Sequence, residues 1–103
     1  MGSKPQHSPK NLGRKLLRIR KALGLSQSEM LRHLGAADSV QTARISEFES
    51  GAREPSLWIL LAYGRVARVH LESLIDAEAT LPDTIPGNFD FGRYKQNLDV
   101  PQR

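Results

Sequence analysis

The stretch from Leu25 to Gly51 constrains this chain most, because it carries its own start and stop signals for two short helices. A hydroxyl at Ser26 can accept from the amide three residues on, and Glu29 can reach back to the Ser26 amide, the reciprocal arrangement of a capping box. Met30, Leu31 and Leu34 then make one apolar face, and Gly35 closes a helix predicted over residues 27–34. Asp38 or Ser39 can cap a second helix, with Ile45 and Phe48 inward and Gly51 at its end. A second register leaves Val40 outside that helix, packed on Ile45 as a hydrophobic staple, with Gln41 as a poorer cap. Capping preference favours the longer helix. Its outer residues, Ala43, Ser46, Glu47 and Ser50, are small or polar. A helix with such a face, propped on another helix, fits a DNA major groove.

The flanks add further helices. Ser8-Pro9 makes a good N-terminus, and Leu12, Leu16, Ile19 and Leu23 recur at helical spacing, so a helix is expected from about Pro9 to Leu23. Residues 1–8 read as a flexible arm. Arg14, Lys15, Arg18 and Lys21 lie off the apolar stripe, whereas Arg20 and Glu49 each sit beside one. Pro55-Ser56 opens a helix expected to reach about Arg68, with Leu57, Leu60, Leu61 and Gly64 inward. Leu71 to Ile75 reads as a short fifth helix. Residues 77–103, with Pro82, Pro86, Gly87 and Pro101, read as an irregular tail. Leu81, Ile85, Phe89, Phe91 and Tyr94 make that tail too apolar for a pure linker, so part of it is expected to pack on the globule or on a second subunit. The fold class expected is all-α, with one domain over residues 9–76.

Charge is uneven. The 103 residues carry a formal net charge of +4, but residues 1–34 hold eight basic residues against one acidic, and the remainder seven against ten. A basic N-terminal half suits a polyanionic partner, although a solubilising helix face gives the same composition. Cysteine is absent, so there is neither a disulfide frame nor a thiolate metal site. No apolar run reaches the length of a membrane span and no secretory signal is visible, so a cytoplasmic location and no membrane partner are expected.

Taken in order, Leu25-Ser26-Gln27, Leu34-Gly35, Ile45-Ser46-x-Phe48-Glu49-x-Gly51, Pro55-Ser56-Leu57 and Leu60-Leu61 resemble the lambda-repressor-like (Cro-type) helix-turn-helix domain of phage repressors and bacterial regulators, over roughly residues 11–75. The resemblance implies a compact five-helix domain that binds double-stranded DNA through its third helix. It implies phosphate contacts at Gln27, Ser50 and Arg53, and a structural ion pair between Arg20 and Glu49. Base-contact candidates are Gln41, Thr42, Ala43, Arg44 and Glu47: Gln suits adenine, Arg guanine, Glu the cytosine amine, and Ala or the Thr methyl a thymine methyl. Arg44 lies to one side of the face, where a phosphate contact or a neighbouring carboxylate serves it equally.

Three features depart from the family. Leu31 stands where a small residue is usual, Ala36-Ala37-Asp38-Ser39 looks like a four-residue insertion, and Trp58, Ile59 and Ala62 occupy positions that are usually polar. Trp58 and Ile59 are candidates for contact with the tail or with a second copy. The function expected is a sequence-specific transcriptional regulator, a homodimer on a palindromic operator. The alternative is a protein-interaction module, such as the antitoxin of a toxin–antitoxin pair. An enzyme is not expected: His7, His33 and His70 are scattered without triad or ligand spacing, no glycine-rich phosphate loop occurs, and no cofactor or metal is implied.

Overall fold

Helix α1 (Leu12–Leu23) forms where its apolar residues recur, and Leu12, Leu16, Ile19 and Leu23 are all buried along one stripe. It is the first element of a computed structural model that describes residues 11–38 and 40–87; the arm at 1–8, Ser39, Phe89, Phe91 and Tyr94 lie outside the described residues. The helix starts at Leu12 rather than Pro9, because Asn11 has φ 69°, a left-handed conformation that a right-handed helix does not run through.

Helix α2 (Gln27–His33) carries the expected box: the Glu29 amide donates to Ser26 Oγ at 3.1 Å and the Ser26 amide to Glu29 Oε1 at 2.8 Å. Met30, Leu31 and Leu34 are buried. The chain then turns at Gly35 in the left-handed region.

Helix α3 (Ala43–Ser50) begins later than the favoured register, with Thr42 rather than Asp38 at its N-cap. Ahead of it, the Val40 amide donates to the Ala36 carbonyl at 2.9 Å. Ala36 is buried and Val40 packs half-buried against the core. Fully burying a valine is worth about 1.5–3 kcal/mol and a cap about 1 kcal/mol, so partial burial of Val40 with burial of Ala36 outweighs the cap. Gln41 and Thr42 then lead in through tight bonds, the Arg44 amide to the Gln41 carbonyl at 2.9 Å and the Ile45 amide to the Thr42 carbonyl at 3.0 Å.

Helix α4 (Leu57–Ala67) is capped by Ser56, whose hydroxyl accepts from the Ile59 amide at 3.3 Å. Its buried face is Leu60, Tyr63, Gly64 and Ala67. The expected inner face was turned slightly wrong: Leu57 is 56% exposed, while Ile59 and Ala62, expected outside, pack against the core. Helix α5 (Leu71–Ile75) buries Leu74.

All described regular elements are helices. Helix α1 is the central strut, lying against α3, α4 and α5, while α2 packs on α3 and α4 on α5. The α1–α3 approach depends on Gly13: a Cβ there would lie 2.6 Å from the Glu49 carbonyl oxygen and 2.9 Å from that of Phe48. Only a residue without a side chain allows this backbone contact.

The segment after α5 belongs to the same globule. Leu81 and Ile85 join the core, and the Gly87 amide donates to the Ala67 carbonyl at 2.9 Å. Lys15, which helical spacing puts off the apolar stripe, is 8% exposed. Its ammonium donates to the carbonyls of Ser73 at 2.7 Å, Asp76 at 3.0 Å and Ala79 at 2.8 Å, using all three donors of the group at the negative end of α5. Arg18 Nη2 donates to the carbonyls of Pro82 and Asp83. Two of the basic residues of α1 thus tie down residues 73–83.

Candidate functional site

Helix α3 is held from below and open above. Ile45 and Phe48 anchor it in the core. Gln41, Thr42, Ala43, Ser46 and Ser50 are exposed, with Arg44 and Glu47 half-exposed beside them. The expected contact residues therefore share one accessible strip.

Its orientation is fixed by Glu49. Arg20 Nε donates to Glu49 Oε2 at 2.6 Å and Arg20 Nη2 to Glu49 Oε1 at 3.1 Å, a bidentate fork. Arg20 Nη1 also donates to the Leu25 carbonyl at 3.0 Å, so one guanidinium links α1, the α1–α2 turn and α3. The side chains are 16% and 6% exposed. Gln27 Nε2 donates to Glu49 Oε1 at 3.3 Å, adding α2 to the joint. Gln27, read as a phosphate ligand, is thus engaged inside the protein through its amide nitrogen.

Beneath this joint lies Tyr63, fully buried, whose hydroxyl has no hydrogen-bond partner among the described residues. Burial pushes its phenol well above the usual tyrosine range, the nearby Glu49 carboxylate adding to the shift and the Arg20 guanidinium opposing it. Nothing in the local sequence marks this tyrosine, since its environment comes from α1 and α3.

The C-terminal end of α3 carries a second cluster. Gly51 takes φ 83°, a conformation that costs a side-chain-bearing residue about 1 kcal/mol or more, and the chain folds back. The amides of Ala52 and Arg53 donate to the Glu47 carbonyl at 2.9 and 3.2 Å. Ser50 Oγ donates to the same carbonyl at 3.2 Å, so Ser50 too has an internal role. This reversal sets Arg53 beside the Glu47 side chain. Arg53 Nε donates to Glu47 Oε1 at 3.0 Å, and Arg44 Nη1 to the same oxygen at 2.9 Å. Hydrogen bonds from Arg44 and then Arg53 hold the Glu47 carboxyl below the usual carboxylate range. Arg44 thus pairs with a neighbouring carboxylate on its own helix.

An open groove runs between α2 and the approach to α3, lined by Ser28, Leu31, Arg32, Ala37, Asp38, Val40, Gln41 and Thr42. Ala37, Asp38 and Val40 supply one wall. On α4, Trp58 is 75% exposed beside Leu57.

Among the described residues no group of three or more His, Asp or Glu side chains is arranged to hold a metal ion, and no helix is long and apolar enough to cross a membrane. Comparison with family models, curated proteins and solved structures finds no match to this chain.

Proposed function

We propose that this chain is a sequence-specific double-stranded DNA-binding regulator of the helix-turn-helix type, with α2 and α3 as the motif and α3 as the reading helix. The observation that carries the reading is the two-sided character of α3. Its inner side is fixed by Ile45, Phe48 and the Arg20–Glu49 fork, and its outer side offers a strip of exposed small and polar residues. A reading helix needs both properties, since base-edge hydrogen bonds tolerate little positional error and bulky side chains would hold the helix off the groove.

In this reading Gln41, Thr42 and Ala43, at the start of α3, meet the base edges. Arg44 and Glu47 stand further along the helix, and Arg53 and Ser50 lie at its far end against the phosphates. Gln27 contacts phosphate only through the part of its amide not given to Glu49. One domain of this size reads a short site, so useful specificity calls for two copies on a palindrome, with half-sites about 34 Å apart. The exposed Leu57–Trp58 pair favours a second reading, a protein-docking module of the antitoxin type, in which this apolar pair meets another chain.

Titration of mixed-sequence duplex DNA against salt tests the primary reading. Binding should weaken steeply, with a log–log slope of about 0.9 per phosphate neutralised. On a duplex selected from a random pool, Arg53→Ala should flatten that slope by about one if Arg53 makes one such contact there. Absence of any duplex binding at low salt would leave the protein-docking reading.

A further inference from the structure

Glu47 is an unexpected residue on a surface meant for a polyanion, and its placement is specific. The α3 end folds back on the Glu47 carbonyl through the Ala52 and Arg53 amides. Arg53 is therefore bound to Glu47 twice, by its amide to the carbonyl and by its guanidinium to the carboxylate. Arg44, one turn earlier on α3, reaches the same carboxylate oxygen. Two cations and one anion are thus gathered at one point of the exposed strip.

We propose that Glu47 is a selectivity residue: its carboxylate restrains Arg44 and Arg53, suppressing their attachment to DNA phosphates of arbitrary sequence. The proposal rests on the DNA-binding reading of α3. The physical argument is competition. A guanidinium already paired with a carboxylate gains less from a phosphate, because the first pair must break and the stranded carboxylate then faces the DNA backbone. Sequence-independent affinity comes almost wholly from phosphate neutralisation, so masking two arginines lowers it most. At a matching site the carboxylate is not stranded: it can accept from the cytosine amine, and the two arginines are released to the flanking phosphates. The penalty thus falls on the wrong sequences, which is how specificity arises from a repulsive element rather than from added attraction.

Glu47→Gln tests this, since it keeps the shape and removes the charge. Binding of the full chain to a mixed-sequence duplex and to its best duplex from an enriched random pool should be followed by fluorescence anisotropy across a salt series. Exposed ion pairs are weak, so the variant should bind the mixed-sequence duplex about three- to tenfold more tightly. Its salt slope should be steeper by about one to two, at about 0.9 for each added phosphate contact. The ratio of selected to mixed-sequence affinity should fall. Glu72→Gln, which removes an exposed charge on α5, should give a smaller change. If wild type binds DNA and Glu47→Gln leaves mixed-sequence affinity and slope unchanged, or matches Glu72→Gln, the selectivity role is wrong. If neither wild type nor variant binds any duplex at low salt, the DNA-binding reading itself fails and the selectivity role falls with it.

Discussion

Replacing Arg20 with Met removes one half of the joint that orients α3. The variant loses two hydrogen bonds to Glu49 and one to the Leu25 carbonyl, and leaves a carboxylate that is 6% exposed and still accepts from the Gln27 amide. Breaking a buried pair by deleting one partner costs about 3–5 kcal/mol. Arg20 is 16% exposed, and water can reach part of the gap, so the lower end, about 3 kcal/mol, is expected. Glu49→Leu should cost less, because Arg20 keeps the Leu25 carbonyl and can turn toward solvent. The double variant should recover much of the loss, with a coupling energy of about 2 kcal/mol, within the usual range for contacting pairs. Urea unfolding followed by circular dichroism gives the four stabilities by linear extrapolation, and unchanged slopes would show that the denatured state is not the cause. Losses that add to within about 0.5 kcal/mol would refute the argument that this pair is a single partly buried unit.

Other parts of the molecule give sharp expectations. Gly13→Ala should destabilise the fold by about 1–3 kcal/mol, because the new methyl group meets the Glu49 and Phe48 carbonyls; thermal unfolding reads it, and an unchanged midpoint would mean that α1 and α3 stand further apart. Tyr63→Phe should be neutral or stabilise by about 1 kcal/mol, since it removes a buried hydroxyl without a partner among the described residues. Because burial raises the Tyr63 phenol above its unfolded value of 10.0, wild-type stability is full below that pH. Above it the unfolded chain alone gives up the proton, so stability falls by about 1.4 kcal/mol per pH unit. Tyr63→Phe should lack this tyrosine's contribution to the alkaline loss, and equal losses in both proteins would place Tyr63 in contact with water. Trp58→Glu should leave the domain folded while weakening any self-association and cooperative DNA binding. Sedimentation of both proteins, free and with operator DNA, reads this, and a wild type that stays at one subunit per site would remove the dimer.

Local signals carried most of the fold into the sequence. The Ser26–Glu29 box, the turns at Gly35 and Gly51, and the Leu12–Leu23 stripe each act within a few residues, so their elements were legible to within a residue or two, apart from the start of α1. The start of α3 was not, because Val40 and Ala36 are drawn into a core that a local capping rule does not see. The inner face of α4 was blurred because Leu57 through Tyr63 is an unbroken apolar run, in which periodicity marks no side. Leu60, Tyr63, Gly64 and Ala67 became the buried face only through packing on α1 and α5. Lys15 read as a surface charge because its three carbonyl partners lie 58 to 64 residues away. The accessible strip on α3 was legible from helical spacing, and the Arg20–Glu49 pair from the resemblance. The convergence of Arg44 and Arg53 on Glu47 depends on the reversal at Gly51, which spacing along one helix does not describe.

The central claim, that α3 reads DNA sequence, is tested most directly by selecting bound duplexes from a random pool with the wild-type chain and with Gln41→Ala and Thr42→Ala. The account predicts an enriched motif for wild type, with two half-sites one helical turn apart. In each variant, preference should relax at one base pair per half-site by about 1–3 kcal/mol, while affinity for mixed sequence stays nearly constant. A pool that emerges unenriched after repeated rounds, or the same motif recovered unchanged by both variants, would contradict it.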